Sequence, residues 1–332
     1  MNKKHAEIAV LGSGSWATAL VKMISSNAGS IAWYIREKHI IEHIQSYKHN
    51  PKYLSTVNLD TGKLILTGDI NRAVEMADIL VFVIPSPYLK KSLSKLTVDI
   101  SGKLVCSAIK GIVPEDNYIV GDYFHRKLKV PLNKLVILTG PTHAEEIAME
   151  KLTYLTIASQ DRSVAEKVSL LLKNHYLKTV ISDDIIGTEY AAVIKNIYAI
   201  AVGIADGLGF GDNFQAVLIS NAAAEINRFI KAVYKNDRNF YTSPYLGDLL
   251  VTAYSRFSRN RMFGNMIGKG YSVRFTRMEM EMVAEGYYAS DCINEINSNL
   301  KVDIPIADSV YRILYRKAEP LIEFRKLTEI LK

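Results

Sequence analysis

The sequence predicts an α/β chain in two parts, a parallel sheet with helical crossovers followed by an all-helical half. Three observations carry that reading. Short apolar runs rich in β-branched residues alternate with amphipathic segments through the first half. One run, residues 79–84, is continuously apolar, as a strand buried on both faces must be. Beyond about residue 187 strand signals fade and long helical periodicities take over. With no Gly/Ser-rich linker, the boundary is placed between two directly packed domains, 1–186 and 187–332.

The elements follow in order. Residues 8–11 form the first strand and 16–25 the helix after it. Residues 31–35 are the second strand, and 38–45 open another helix. The strand at 79–84 is ended by Pro85 and Pro87. The strand at 104–109 stops at Lys110-Gly111, and the one at 135–138 stops at Gly140-Pro141-Thr142. Residues 154–158 and 179–182 are two further strands. In the second half, 189–205 and 213–234 are the clearest helices.

At 332 residues each half can bury its own core. Net charge is +7. That fits scattered surface lysines or an anionic small-molecule substrate and cofactor. Zinc-finger spacing, an RNP-like motif and a long Lys/Arg block are all missing, so nucleic acid is not an expected partner. Cys106 and Cys292 lie far apart, which argues against a disulfide framework and a Cys-rich metal site. Lys3, Lys4 and His5 precede an apolar run, but Gly12-Ser13-Gly14-Ser15 interrupts it, unlike a signal peptide. A soluble, cytoplasmic chain that does not span a membrane is expected.

The strongest local signal is Gly12-Ser13-Gly14-Ser15-Trp16-Ala17, between a strand and a helix. This is a dinucleotide-binding fingerprint in its proper context. Gly12 permits the tight turn, Gly14 lets a pyrophosphate approach the backbone, and Ala17 is small enough for close packing. The helix N-terminus then supplies amide donors to phosphate. After the second strand stands Arg36, followed by Glu37. Arg36 favours NADP or tolerance of both cofactors; a solvated loop arginine is the alternative. His39-Ile40-Ile41-Glu42-His43 matches a zinc-peptidase pattern, but it lies on a crossover helix away from the sheet's carboxyl edge. No metal is expected.

The strands before Pro85, Lys110 and Gly140 should end at one edge, which lines the ligand crevice in such sheets. In the second half, a helix apolar almost all round carries Lys195 and Asn196 at its middle. A lysine there either snorkels to the surface or is buried with a partner; if buried, desolvation lowers its pKa toward a useful range for proton transfer. Gly247-Asp248 and Ser258-Arg259-Asn260-Arg261 add a carboxylate and clustered guanidinium groups suited to phosphate, or else a solvated face.

Taken together these residues resemble the NAD(P)-dependent glycerol-3-phosphate dehydrogenase family. The similarity also runs through Pro85-Ser86, Gly140-Pro141-Thr142-His143-Ala144-Glu145-Glu146, Asp206-Gly207-Leu208-Gly209-Phe210-Gly211-Asp212-Asn213 and Glu285-Gly286-Tyr287. It departs at Ala17, at His143 in place of an aromatic residue, and at 241–245 in place of a glycine-rich segment.

The resemblance implies a Rossmann-like domain followed by an all-α domain of the 6-phosphogluconate dehydrogenase-like type. It implies reversible reduction of dihydroxyacetone phosphate to sn-glycerol 3-phosphate with NADPH or NADH, supplying glycerophospholipid synthesis, and a homodimer. By position, Lys195 is the general acid. Lys110, Gly140, Thr142, Asn196, Asp248, Thr252, Ser258, Arg259 and Asn260 join it at the substrate. Gly12, Gly14, Ser15, Trp16, Arg36, Lys110, Ala144, Arg259, Val283 and Glu285 belong to the cofactor site. A dehydrogenase of another small hydroxy acid and a non-catalytic NAD(P)-binding sensor are the competing readings.

Overall fold

The computed structural model describes residues 5–280 and 282–332. It divides into two compact units. The first joins the chain up to Ile109 to Val120–Ile185; the second joins Lys110–Ile119 to Ile186–Lys332. The observed partition therefore differs from the expected 1–186 and 187–332 by one short segment.

Ten strands are present among the described residues: β1 (Ile8–Leu11), β2 (Ile31–Tyr34), β3 (Leu64–Thr67), β4 (Ile79–Phe82), β5 (Leu104–Ser107), β6 (Ile112–Val113), β7 (Tyr118–Ile119), β8 (Leu135–Thr139), β9 (Thr153–Ala158) and β10 (Leu177–Ser182). Eight form one sheet in the order β10-β9-β8-β5-β4-β1-β2-β3. From β3 to β8 every pairing is parallel. Strands β1, β2, β4 and β8 are buried along their whole length, which is why they read as unbroken apolar runs.

Two features depart from expectation. The sheet is not wholly parallel: β9 pairs antiparallel with β8, and β10 runs parallel to β9. A further strand, β3, lies at the sheet edge; Leu64-Ile65-Leu66 is an apolar run, but it is only half-buried and was not among the expected strands.

The strand order reverses at β1, with β2 and β4 on its two sides. That is the switch point where a parallel sheet opens a crevice at its carboxyl edge. The helix Ser15–Ile24 starts there. It is packed on the sheet by Ala17, Leu20, Val21 and Ile24, all fully buried.

The second unit is built on the helix Ile185–Gly207. By length and composition this helix could cross a membrane, yet 94% of its most apolar window is buried. Its Val193, Ile197, Ile200 and Ile204 pack with Leu218, Phe229, Phe263 and Ile293 in one core. The antiparallel pair β6–β7 belongs to this unit because Ile112 and Ile119 are buried in that same core.

One close helix crossing uses glycines on both partners. A Cβ on Gly203 would stand 2.0 Å from the Arg261 carbonyl oxygen, and one on Gly264 would stand 2.1 Å from that of Ile200. Gly207 and Gly268, one turn further along, make the same kind of contact. The helix Arg259–Gly268 therefore lies backbone to backbone on the lysine helix. At Gly286 a Cβ would meet the Asn196 carbonyl oxygen at 2.5 Å, so the helix Glu285–Leu300 also approaches directly.

Candidate active site

In the first unit the glycine-rich turn follows β1. Gly12 has φ +137, and a Cβ there would stand 2.6 Å from the Val83 carbonyl oxygen, so only glycine fits. Its own carbonyl accepts the Trp33 indole N–H at 2.7 Å. Gly14 precedes the first residue of the helix and has open space where a side chain would be. Ser15 and Trp16 begin the helix, and no acidic residue occupies its first turn to compete with a bound anion. The Trp16 indole nitrogen is buried without a hydrogen-bond partner. This combination fits a dinucleotide: an uncrowded glycine, a helix N-terminus and an orphaned indole donor.

Two residues outside it, Asn50 and Glu37, hold this turn, and the sequence reading gave neither of them a role. Asn50 is fully buried. Its amide donates to the Ser13 carbonyl at 3.1 Å and to the Thr18 hydroxyl at 3.0 Å. Its oxygen accepts the backbone N–H groups of Lys52 and Tyr53. The Ser13 hydroxyl donates to Glu37 at 3.1 Å. Glu37 also accepts from Arg36, whose side chain is mostly exposed. Burial disfavours the Glu37 charge, but the hydrogen bonds from Arg36 and Ser13 outweigh it and hold the carboxyl below its usual range. No spacing rule marks Asn50; Glu37 was visible only as the neighbour of Arg36.

Gly140 follows β8 with φ +106, and its carbonyl accepts the Thr142 hydroxyl at 3.2 Å. Ala144 is buried at the start of the short helix Ala144–Ala148, which packs against the helix of the glycine turn. The strands before Pro85 and Gly140 end at the same sheet edge as β1, as expected of their parallel pairing.

In the second unit, Lys195 and Asp248 are buried together, 4% and 1% exposed. The Lys195 ammonium donates to Asp248 Oδ1 in a short charge-assisted hydrogen bond, and to the Thr252 hydroxyl at 2.8 Å. Thr252 in turn donates to the Asp248 carbonyl at 2.6 Å. Lys110 Nζ lies 3.5 Å from Asp248 Oδ2. Two lysines therefore share one carboxylate. Desolvation pushes the Lys195 pKa down to about 7; Asp248 resists this and Lys110 adds to it.

Asp248 is delivered by an unusual stretch. Residues Ser243–Gly247 form a π-helical turn that leads into the helix Asp248–Tyr254, with Pro244 and Tyr245 buried beneath it. Such turns re-aim the residues that follow them.

A chain of amides runs beside the lysine. Asn196 Nδ2 donates to the Lys110 carbonyl at 2.9 Å, and its oxygen accepts from Asn260 Nδ2 at 2.9 Å. Asn260 Oδ1 accepts the Gly286 N–H at 2.9 Å. Asn260 thus ties three segments together. It keeps one N–H beyond these bonds. Val283 and Glu285 stand half-buried at the start of the Gly286 helix.

Ser258 caps the helix Arg259–Gly268, accepting the Arg261 N–H. Arg259 is the first residue of that helix and is half-buried. Arg261 and Asn265 are instead held by Asp206. Within this unit, then, the fold brings together Lys110, Lys195, Asn196, Asp248, Thr252 and Asn260, with Ser258 and Arg259 directly before Asn260 in the chain. Among the described residues no group of three or more His, Cys, Asp or Glu could hold a metal.

Comparison with known proteins agrees with both halves. The N-terminal model of NAD-dependent glycerol-3-phosphate dehydrogenase matches residues 7–165, and the C-terminal model matches 184–324. The glycerol-3-phosphate dehydrogenase [NAD(P)+] of Exiguobacterium sp. is 33% identical over 97% of this chain and 95% of its own. The enzyme of the same name from Bacillus subtilis is 33% identical over 96% and 93%. The crystal structure of glycerol-3-phosphate dehydrogenase from Coxiella burnetii superposes with a TM-score of 0.90 at 25% identity, covering 98% of this chain and 99% of that one. This chain belongs to the NAD-dependent glycerol-3-phosphate dehydrogenase family.

Proposed function

We infer that the protein is an NAD(P)-dependent glycerol-3-phosphate dehydrogenase. It reduces dihydroxyacetone phosphate to sn-glycerol 3-phosphate, and the reaction runs in both directions. The product is the backbone precursor of glycerophospholipids. The observation that carries the reading is the buried Lys195–Asp248–Thr252 cluster in a chain of this family.

In the first unit Gly12, Gly14, Ser15, Trp16, Arg36 and Ala144 serve the dinucleotide; in the second, Lys110, Arg259, Val283 and Glu285 serve it. When bound, the nicotinamide supplies or receives the hydride. Lys195 carries the proton that the carbonyl oxygen must gain as it becomes a hydroxyl. An ammonium with its pKa near 7 gives up that proton far more readily than an ordinary lysine, and the free amine takes it back in oxidation. Asp248 and Thr252 fix the ammonium in one direction, so little reorganisation accompanies transfer. Burial keeps bulk water from competing for the proton. Asn196 and the backbone of Lys110 hold this frame in place.

Arg259 takes the phosphate. It sits at an N-terminus whose amides also favour an anion, and among the described residues it makes no ion pair. In this unit Ser258 and the spare N–H of Asn260 also serve the substrate, and in the first unit Gly140 and Thr142 do.

The test is oxidation of NADH and NADPH by the purified protein with dihydroxyacetone phosphate against unphosphorylated dihydroxyacetone. Turnover confined to the phosphorylated ketone supports the assignment. Equal turnover with both removes the phosphate site, and turnover with neither removes the substrate.

A further inference from the structure

We propose that Glu37 selects the cofactor, accepting the adenosine ribose diol of NAD(H) and turning away the 2′-phosphate of NADP(H). The proposal rests on the dehydrogenase reading and adds a cofactor preference to it. It also reverses the weight that Arg36 alone suggests.

The placement is the first argument. Glu37 lies three residues beyond the end of β2, beside the strand that carries the glycine-rich turn. This is where such sheets read the ribose, with an acidic side chain for a free 2′-hydroxyl and a basic one for a phosphate. The chain supplies one of each, so the question is which of them the fold presents.

Hydrogen bonding answers it. Glu37 Oε2 accepts the Ser13 hydroxyl at 3.1 Å, and Ser13 belongs to the glycine turn itself. The carboxylate is therefore anchored against the turn. Ser13 is in turn fixed by the buried Asn50, which binds its carbonyl. Arg36, by contrast, has a mostly exposed side chain and spends two of its N–H groups on Glu37 Oε1. The anchored group is the anion, and the cation is its satellite.

Two consequences follow for the ligand. A carboxylate oxygen can accept more than one hydrogen bond, so Glu37 Oε2 keeps capacity for a ribose hydroxyl after taking the Ser13 proton. A 2′-phosphate placed there meets a fixed like charge, and the guanidinium that would neutralise it is already engaged. Arg36 could serve the phosphate only by leaving Glu37. The carboxylate thus disfavours NADP(H) both by repulsion and by holding Arg36.

The experiment measures binding of the adenosine halves alone, so it does not depend on turnover. ADP-ribose and 2′-phospho-ADP-ribose are titrated calorimetrically into the wild type, Glu37→Gln, and the double variant Arg36→Gln/Glu37→Gln. Glutamine keeps the length and can still accept the Ser13 proton, and the Glu37 side chain does not cap its helix, so the fold is retained. The wild type should bind ADP-ribose more tightly. Glu37→Gln should shift the ratio of the two affinities toward the phosphorylated ligand by at least about tenfold, the scale of removing a close like charge. The double variant should lose most of that gain, because the freed Arg36 supplies it. A wild type that prefers the phosphorylated ligand, or a Glu37→Gln ratio within about twofold of wild type, overturns the proposal. Normal selectivity in a protein that fails to reduce dihydroxyacetone phosphate would sink the substrate assignment and leave Glu37 standing.

Discussion

Lys195 is an expensive residue to bury, and its surroundings explain how the fold keeps it. Asp248 supplies the opposite charge and Thr252 an acceptor for a second N–H. Burial still dominates and pushes the pKa down to about 7. The sign of the pH dependence follows. Reduction of the ketone needs the ammonium, so its rate should fall as pH rises through about 7. Oxidation of sn-glycerol 3-phosphate needs the free amine, so its rate should rise over the same interval. Parallel profiles in the two directions would show that another group carries the proton. Arg259→Ala should raise KM for dihydroxyacetone phosphate by tenfold or more, about the worth of a charge-assisted pair, with kcat much less affected. An unchanged KM would assign the phosphate elsewhere. At this scale the sequence was legible wherever a residue broke its local pattern. A lysine in an apolar helix stands out, as does an arginine beside a helix cap. Asn50 and Ser13 break no pattern, because their importance lies in contacts made across more than thirty positions.

The elements place these side chains through backbone contact. Gly203 and Gly207 on the lysine helix meet Gly264 and Gly268 on the Arg259 helix, each carbonyl facing a missing side chain. That crossing holds Asn196 and Asn260 at 2.9 Å. Gly264→Ala would put a methyl group 2.1 Å from the Ile200 carbonyl oxygen, in the middle of a rigid pair. We expect a loss of about 2–4 kcal/mol in stability, the upper range for overpacking, read as a lower denaturation midpoint. Gly270→Ala is the control for local strain, since it has open space but a positive φ of +93. Equal effects at the two sites would remove the crossing as the cause. Helix periodicity located both helices, yet it does not report which faces meet. The glycines were read as parts of motifs, not as a packing seam.

For the whole chain, the order of elements and the division into a sheet half and a helical half were legible because burial leaves a periodic trace. The segment Lys110–Ile119 was not, because its membership in the second unit depends on where Ile112 and Ile119 pack. Stability of the helical unit also rests on a buried acid that no motif marks. Glu225 accepts the Ile306 and Ala307 N–H groups at the start of the helix Pro305–Arg316 and the Tyr198 hydroxyl at 2.9 Å. Burial raises its pKa to about 7 despite these bonds. A carboxyl raised in the folded state contributes stability that is fully present below about pH 4.5 and lost as pH rises through about 7. Relative to Glu225→Gln, the wild type should therefore lose stability between pH 5 and about 8 in chemical denaturation. Curves that stay parallel across that interval would show that Glu225 does not titrate there.

Lys195 as proton donor to a phosphorylated ketone is checked by Lys195→Ala assayed beside the wild type. Cofactor binding and oxidation with dihydroxyacetone phosphate are measured on the same preparations. Cofactor affinity should stay near normal and turnover should fall at least about a hundredfold. Turnover within a few-fold of wild type, with the fold intact, would contradict it.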